Sequence, residues 1–428
     1  MSIGTLLFRN YNLKMSSTPT TSPSLRTRDV FSPKYRGGFL RAVGDFQTEL
    51  FRAMAGFLPG VSRWELRREI SALVFRDARR VQELRNRCRE LGSAPSAKHL
   101  SAGVAGRELI ETLCTAPDST VAFRAIFGII KPAECRLLKE YLQDDFRVFD
   151  APSIPVVEAN IEELDRQIAW ANLQPEIGAE TQVDWLTRIE SLAAALGSTL
   201  HTGSSGLAEP VVGGRKIGNL PVLRSVIPDG FREGLAQMPP ADSENYQDRE
   251  VFHAHNFLME IQAADSCASL LFEAPDMPWD FYFDTARHMW DETRHCEFGE
   301  IKLRALGLDF KEMGLSNAAY VLRQTIDPLD RYAALTTQEA DAFPGKHAGL
   351  KDAITNNDDL SARAWSYDIS DETQHVRYGH KWIPVMIQET GEPRSYEEIK
   401  RDAQNWRRDV LAVGYSTAAE SFGRELKV

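Results

Sequence analysis

The apolar residues of this chain recur at helical spacing along most of its length. In the segment "SRWELRREISALVFRDARRVQELRNRCRELGS", residues 62–93, apolar positions return at spacings close to those of one helix face. Ser62 is a favourable N-cap for that helix, and Gly92 is a favourable terminator. Further helices are predicted near residues 119–143, 153–172 and 181–196. Alternating strand patterns and hairpin dipeptides are scarce, so the sequence predicts an all-α fold.

From residue 250 onward the pattern predicts four long helices. They span about 250–273, 279–306, 316–343 and 358–390, and the breaks between them read "EAPDMP", "GLDFKEMG" and "PGKHAGLKDAITNNDD". Residues 203–249 are rich in Gly and Pro, and residues 15–36 are rich in Ser, Thr and Pro. We therefore predict a loose or disordered N-terminal arm (1–36), an N-terminal helical domain (37–202), a connection (203–249), a four-helix unit (250–390) and a C-terminal helical extension (391–428).

The composition indicates which binding partners and which cellular compartment to expect. The formal net charge is −11 and the isoelectric point is near 5.5, which argues against a nucleic-acid or anionic-membrane surface because both attract a basic face. The N-terminus has too short an apolar run for a signal peptide, and no stretch is long and apolar enough to predict a membrane span. The five cysteines are scattered and form no CxxC pair. We expect a cytoplasmic protein without a disulfide framework.

One short pattern occurs twice, eighty residues apart. Residues 289–300 read "MWDETRHCEFGE", and residues 370–380 read "SDETQHVRYGH". Both copies lie inside predicted helices, where residues three apart share a face, so Glu292 projects beside His295 and Glu372 beside His375. A carboxylate and an imidazole projected together can bind one metal ion. Two such pairs on facing helices predict a site for two ions.

The other two helices offer the remaining carboxylates. Glu260 precedes Glu292 by 32 residues and Glu339 precedes Glu372 by 33, as an internal duplication of a helix pair predicts. Four glutamates would repel one another in a bundle core, and two divalent ions would neutralise them. Glu260 and Glu339 are chosen by spacing, and the neighbouring carboxylates Asp265 and Asp341 remain alternatives.

The arrangement of Glu, Glu-x-x-His, Glu and Glu-x-x-His resembles the ferritin-like di-iron carboxylate proteins, in which four antiparallel helices supply these ligands. The Asp-Glu-x-x-His segments are similar to those of soluble methane monooxygenases, ribonucleotide reductase small subunits and acyl-carrier desaturases. The resemblance implies a ferritin-like four-helix bundle with an additional N-terminal helical domain. It also implies that Asp291 accepts a hydrogen bond from His375, and Asp371 one from His295. Gln374 stands where the family often has Arg, so an Arg-to-Asp contact from the second copy is not expected.

The function implied by the resemblance is that of an oxidoreductase which activates O2, as co-substrate, at two iron ions or an iron–manganese pair to oxidise a small organic substrate. The residues expected both to bind metal and to act in catalysis are Glu260, Glu292, His295, Glu339, Glu372 and His375. The resemblance is compatible with an electron-donor protein as a partner and with a homodimer of this chain. A ferroxidase and a metal-stabilised helical module without catalysis remain the alternatives.

His288 is a further candidate. It lies four residues before Glu292 on the same helical face, and the equivalent position in the second half is Asp368. From the sequence, His288 can be either a metal ligand or a polar residue that lines the site.

Overall fold

The computed structural model describes residues 32–93, 103–142, 148–178, 182–201, 225–274, 277–414 and 417–418. Within these ranges the fold is all-helical, and the only β-type pairing is an isolated bridge between Glu233 and Leu315. The helices in chain order are α1 (Pro33–Phe57), α2 (Trp64–Glu90), α3 (Gly103–Leu113), α4 (Ser119–Ala125), α5 (Lys131–Leu142), α6 (Ser153–Ala171), α7 (Pro175–Gly178), α8 (Val183–His201), α9 (Tyr246–Met259), α10 (Ile261–Glu273), α11 (Trp279–Ala305), α12 (Ala318–Arg323), α13 (Pro328–Thr355), α14 (Asp359–Thr390) and α15 (Tyr396–Val413). None of the helices in these ranges has the length and apolarity that crossing a bilayer requires.

The N-terminal helices follow the predicted pattern with local differences. A π-helical segment, Ile126–Ile130, connects α4 to α5 inside the stretch predicted as one helix. The N-cap of α2 is Arg63 rather than Ser62, and the Ser62 hydroxyl donates to Asp229 at 2.7 Å. Helix α1 begins at Pro33, inside the segment predicted as a loose arm, and Ser32 caps it by accepting a hydrogen bond from the backbone N–H of Tyr35. The rest of that predicted arm, residues 1–31, lies outside the described residues.

Two of the four long C-terminal helices differ from the prediction. The first is divided into α9 and α10 at Glu260, whose N–H bonds the carbonyl of Phe257 in a tight turn of the 3₁₀ type. The third was predicted to span 316–343, but this stretch forms the short α12 and then α13, which begins at Pro328 and continues through Pro344 to Thr355. A proline removes one backbone hydrogen bond, yet tertiary packing overrides this local signal, since Lys346, Gly349 and Ala353 beyond it are buried.

The four-helix unit formed by α9/α10, α11, α13 and α14 is closed, because each of these helices packs against two others of the set. Two glycines from the repeated pattern set the spacing. A Cβ at Gly299 of α11 would lie 2.4 Å from the carbonyl oxygen of Ala254 on α9. A Cβ at Gly379 of α14 would lie 2.6 Å from Thr336 Oγ1 on α13. Both positions therefore need glycine for close helix packing.

The N-terminal helices pack directly on this unit. Helix α1 lies against α10 and α2 lies against α11, and one hydrophobic core runs through both parts of the chain. Arg67 of α2 forms a buried ion pair with Asp265 of α10, and Arg52 of α1 donates to the carbonyl oxygen of Leu271 at 2.8 Å. One side of the four-helix unit is thus covered by the chain's own N-terminal helices. The predicted division into domains remains a prediction.

A buried polar network lies within the N-terminal helices. Asp77 contacts Arg80 at 2.8 Å and Lys131 at 2.5 Å, and Arg80 also pairs with Glu134. All four side chains are almost fully buried. The two acidic groups therefore face two basic groups, and Gln167 donates a further hydrogen bond to Asp77 at 3.0 Å. The network is electrically neutral as built.

Candidate metal centre

Two groups of potential metal ligands lie in the core of the four-helix unit. Within each group, one ligand atom from every member lies within 4.8 Å of the others. Group A consists of His288, Glu292, Glu339 and His375. Group B consists of Glu260, His295, Asp368 and Glu372. The structure thus brings all six sequence-predicted ligands together, divides them three and three, and adds His288 to one group and Asp368 to the other.

Group A is fully buried and contains two imidazoles. His288 Nε2 lies 2.9 Å from Glu339 Oε1 and 3.1 Å from Glu292 Oε1. His375 Nδ1 lies 3.2 Å from Glu292 Oε1, and the rings of His288 and His375 stack with centroids 3.7 Å apart. His288 therefore presents a ring nitrogen at the same point as the predicted ligands, which agrees with the ligand alternative better than with the lining one.

Group B has one imidazole and a carboxylate in the position equivalent to His288. His295 Nδ1 lies 3.0 Å from Glu260 Oε2 and 3.5 Å from Asp368 Oδ1. Glu372 belongs to this group, but its Oε2 also lies 3.4 Å from Nδ1 of His375 in group A. Glu292 of group A has its Oε2 3.9 Å from His295 Nδ1 in return. Both repeated-pattern glutamates therefore stand between the groups.

A buried lysine contacts group B. Lys346 Nζ lies 2.7 Å from Asp368 Oδ1, 2.9 Å from Glu372 Oε1 and 3.6 Å from Glu260 Oε1. Burial alone would lower the pKa of Lys346, but these three carboxylates hold it well above its usual value. Burial raises the pKa of Asp368 to about 7 although Lys346 and His295 oppose the shift. Lys346 thus places an ammonium group against three carboxylates of group B.

Two aspartates next to the glutamates orient the histidines across the bundle. Asp291 Oδ2 lies 3.4 Å from His375 Nε2, and Asp371 Oδ2 lies 3.4 Å from His295 Nε2. These are the cross-helix pairs that the resemblance implies. Each contact fixes the Nε2 side of a ring and leaves Nδ1 facing its ligand group.

Two arginines of α11 form ion pairs with both aspartates. Arg294 Nη1 lies 2.5 Å from Asp291 Oδ1 and 3.0 Å from Asp371 Oδ2, and Arg287 Nε lies 2.8 Å from Asp291 Oδ2. Burial raises the pKa of Asp291, but hydrogen bonds from His375 and Arg287 outweigh this effect and hold it at about 2. Because Arg294 reaches both aspartates, Gln374 at the equivalent place in α14 leaves neither of them without an arginine.

The hydrogen-bonding state of the two groups tests whether metal ions fit. Buried polar atoms in proteins nearly always have a hydrogen-bond partner. Three histidine nitrogens and four carboxylate oxygens of the two groups are buried and make no hydrogen bond of good geometry: His288 Nδ1, His295 Nδ1, His375 Nδ1, Glu260 Oε2, Glu339 Oε2, Asp368 Oδ2 and Glu372 Oε2. Some of these atoms lie close together, with 3.0 Å between His295 Nδ1 and Glu260 Oε2 and 3.4 Å between His375 Nδ1 and Glu372 Oε2. Imidazole nitrogen and carboxylate oxygen are the donor types that first-row transition ions prefer. The donor set and its unpaired atoms both fit cations.

The charge of the two groups also indicates that they fit cations. The five carboxylates of groups A and B are Glu260, Glu292, Glu339, Asp368 and Glu372. Lys346 supplies one positive charge against them, so the ionised cluster would carry a net charge of −4 (five negative, one positive) with its histidines neutral, as metal ligation requires. Without metal, burial would lower the pKa of His288, His295 and His375, but nearby acidic groups raise it well above the usual value, so protonated histidines offset part of that charge. Two divalent ions would neutralise that charge in a buried site where an uncompensated carboxylate is costly.

The remaining candidates lie outside the groups. Asp265 pairs with Arg67, and Asp341 pairs with Arg407 at 3.1 Å near the surface. The sequence shows Asp368 at the position equivalent to His288, but the sequence analysis assigns it no role. Its place four residues before Glu372, on the same helix face, is the signal that could have identified it. It had not identified Lys346. The only sequence signal for this lysine is its place seven residues after Glu339, on the same helix face.

Comparison with known proteins gives one match. A family model described as "Protein of unknown function (DUF455)" matches residues 234–422. The match covers less than half of the 428-residue chain, yet it contains every residue of groups A and B together with Lys346. The comparison with curated proteins and the comparison with solved structures each gave no match. The part of the chain that is similar to this family is thus the part that carries the two ligand groups.

Proposed function

We propose that groups A and B hold a pair of first-row transition ions, two irons or iron with manganese, and that the chain is a ferritin-like oxidoreductase. In this proposal α9/α10, α11, α13 and α14 form the ferritin-like bundle and the N-terminal helices form an additional domain packed on it. The observation that carries the proposal is the convergence of eight histidine and carboxylate side chains in two groups, within each of which one ligand atom from every member lies within 4.8 Å of the others. Seven buried nitrogen and oxygen atoms of these side chains make no hydrogen bond of good geometry.

Bound iron would supply the electrons that reduce O2 and the oxidising capacity that acts on a small organic substrate. The residues of this chain have their own parts. Asp291 and Asp371 hold the histidine rings so that Nδ1 remains available, and the five carboxylates offset the positive charge of the ions. Leu258, Cys296 and Tyr332 are buried in the same core and help to exclude water.

Oxidation of a substrate is better supported than storage of iron. Helices α1 and α2 cover one side of the four-helix unit, and that side is therefore not free to pack against other subunits in a cage. A purely structural role is less well supported, because Lys346 contacts three carboxylates of group B and because the buried Glu292 and Glu372 lie between the two groups. A structural metal site is normally satisfied by a closed set of ligands from one position.

Elemental analysis of the full-length protein after iron-replete expression tests the metal pair. We expect about two ions per chain. The double variant Glu292→Ala/Glu372→Ala should lose both, because each glutamate stands between the groups. The matched double variant Glu83→Ala/Glu397→Ala removes two exposed glutamates from α2 and α15 and should retain the wild-type metal content. Equal metal content in the two double variants, or a value near zero in the wild type, contradicts the proposal.

Oxygen uptake then tests the reaction class. The reduced, iron-loaded protein should consume O2, and a suitable organic substrate should be recovered in oxidised form. If O2 uptake instead deposits ferric mineral in proportion to added iron, the ferroxidase alternative replaces this proposal. A reduced protein that does not react with O2 under any of these conditions excludes both.

A further inference from the structure

A cavity of about 200 Å³ opens beside group B, between α9, α11 and α14. Its lining is almost entirely apolar, with Ala254, Phe257, Phe298 and Trp365 among its walls. At the mouth, Ile301 and Tyr367 are large apolar side chains that are more than half exposed. Exposed apolar side chains of this size around a concave apolar surface are typical of a ligand site.

The cavity lies one helical turn from group B on three helices at once. Phe257 precedes Glu260 by three residues, and Trp365 precedes Asp368 by three. Phe298 follows His295 by three residues. One turn corresponds to about 5.4 Å along a helix. The aromatic residues of the cavity therefore form a layer directly next to group B, and none of the three wall aromatics is adjacent to a residue of group A.

The rings form a continuous series from the ligand histidine to the cavity. The His295 ring centroid lies 5.5 Å from that of Phe298, and Phe298 lies 6.1 Å from Phe257. The Phe257 ring centroid in turn lies 4.6 Å from that of Trp365, and the Trp365 ring centroid lies 5.2 Å from that of His253. Phe257 and Trp365 belong to a small hydrophobic cluster separate from the main core. The layer is built for contact with a flat, apolar molecule.

Polar groups occur at one part of the lining. Lys302 Nζ lies 3.1 Å from Glu250 Oε2, and Ser361 donates to the same oxygen. The other oxygen, Glu250 Oε1, is buried and has no hydrogen-bond partner. This oxygen has almost no accessible surface, so it is not open to a ligand, and the surface that the cavity offers to a ligand is apolar.

We propose that this cavity binds the organic substrate of the centre, and that the substrate is a small apolar molecule with one aromatic ring. This inference rests on the proposed function for its link to oxidation. A cavity of 150 Å³ accommodates benzene, so about 200 Å³ accommodates one ring with a short substituent. The ring would contact the aromatic side chains of Phe257, Phe298 and Trp365.

The experiment uses toluene as the probe and 4-methylphenol as the matched ring with a hydrogen-bond donor. Both are titrated into the full-length, Zn²⁺-loaded protein by ligand-observed NMR. We expect toluene to bind at least as tightly as 4-methylphenol, because the lining offers the hydroxyl group little polar surface. We then replace Zn²⁺ with paramagnetic Mn²⁺ and expect faster relaxation of the bound probe's protons, because the cavity lies one turn from group B.

Two variants block the cavity at different points. Ala364→Trp fills the wall, and Ile301→Trp closes the mouth from an exposed position that tolerates a large side chain. Each should weaken probe binding at least tenfold and leave the metal content unchanged. Ala194→Trp, on the exposed face of α8, is the matched control and should bind the probe like the wild type.

The outcomes separate the two proposals. If the protein binds two ions per chain but neither ring compound, or if both blocking variants bind the probe normally, the cavity inference is wrong and the metal centre stands. If the probe binds but Mn²⁺ leaves its relaxation unchanged, the cavity is not the substrate site of the centre. If the protein binds no metal, the proposed function fails, and the inference that depends on it fails with it.

Discussion

Lys346 and Cys267 occupy equivalent positions in the two halves of the four-helix unit. Lys346 follows Glu339 by seven residues, and Cys267 follows Glu260 by seven. Lys346 lies 2.7 Å from Asp368, and Cys267 lies beside His288, which is the residue equivalent to Asp368. A lysine–aspartate pair at group B therefore corresponds to a cysteine–histidine pair at group A. The two metal positions should consequently differ in affinity.

Replacing Lys346 with Met should tighten metal binding at group B by about tenfold or more, which corresponds to about 1.4 kcal/mol. The ammonium contacts three carboxylates of that group and competes electrostatically with an incoming cation. Competition with a coloured chelator during Mn²⁺ or Co²⁺ titration measures the second binding step. Lys302→Met removes another buried lysine outside the groups and should leave that step unchanged. Weaker binding in Lys346→Met would show that the lysine instead holds Asp368 and Glu372 in place.

Replacing Asp371 with Ala should weaken metal retention by about ten- to a hundredfold. The carboxylate lies against Nε2 of His295, and without it the ring loses the contact that sets its orientation. Dialysis against a chelator followed by elemental analysis measures retention, and circular dichroism measures helix content. Asp359→Ala, at an exposed position of α14, is the control and should behave like the wild type. Unchanged retention in Asp371→Ala, or a collapse of helicity, contradicts the assigned role.

Replacing Gly299 with Ala should destabilise the fold by about 1–3 kcal/mol. The added Cβ would lie 2.4 Å from a backbone oxygen of α9, so the two helices must separate. Gly345→Ala on α13 is the matched control, since its Cβ would meet nothing within 4 Å. It should be neutral or stabilising by up to about 1 kcal/mol because alanine favours helix. Urea unfolding of both variants gives the comparison, and equal stabilities would show that the α9–α11 contact tolerates expansion.

The pH dependence of stability should include a contribution from Asp45 on α1. Burial raises the pKa of this carboxyl to about 7, although Arg85 and Arg41 oppose the shift. Between the usual value of 3.8 and about 7, the folded chain holds a proton that the unfolded chain releases. The free energy of unfolding should therefore fall as pH rises through this window, by at most about 1.4 kcal/mol per pH unit from this group.

The variant Asp45→Asn stays uncharged at every pH and should lack that loss. Urea unfolding near pH 5 and near pH 8 should show a smaller fall in stability for the variant than for the wild type. Asp184→Asn, at an exposed position of α8, should follow the wild type. Parallel pH profiles for the wild type and Asp45→Asn would mean that Asp45 is already ionised in the folded protein near pH 5.

The part of the site that depends on local periodicity could be predicted from the sequence. Glu292 with His295, and Glu372 with His375, share a helix face at a spacing of three, and that spacing does not depend on tertiary structure. The upstream glutamates followed from the duplication. The all-helical class also followed from the pattern and is confirmed by the structure.

The missed features depend on tertiary packing. Lys346 lies two residues beyond Pro344, where the local signal indicates the end of a helix, so its side chain could not be placed on the ligand face. Arg294 reaches Asp371 across the bundle, a contact between residues 77 positions apart. The division of α9 from α10 at Glu260 has no local signal, because the surrounding residues include neither proline nor glycine.

The neutral polar network of the N-terminal helices has a consequence for how the chain responds to metal supply. Asp77 and Glu134 already face Arg80 and Lys131, so that region reaches its final electrostatic state during folding. On the proposed function, the ligand groups reach theirs only when metal ions bind. Under metal starvation, α9–α11 and α13–α14 should therefore open first, and amide hydrogen exchange should rise there while α2 and α5 stay protected. A cellular protease would then encounter the chain from its C-terminal side, so the lifetime of the protein would report the availability of metal.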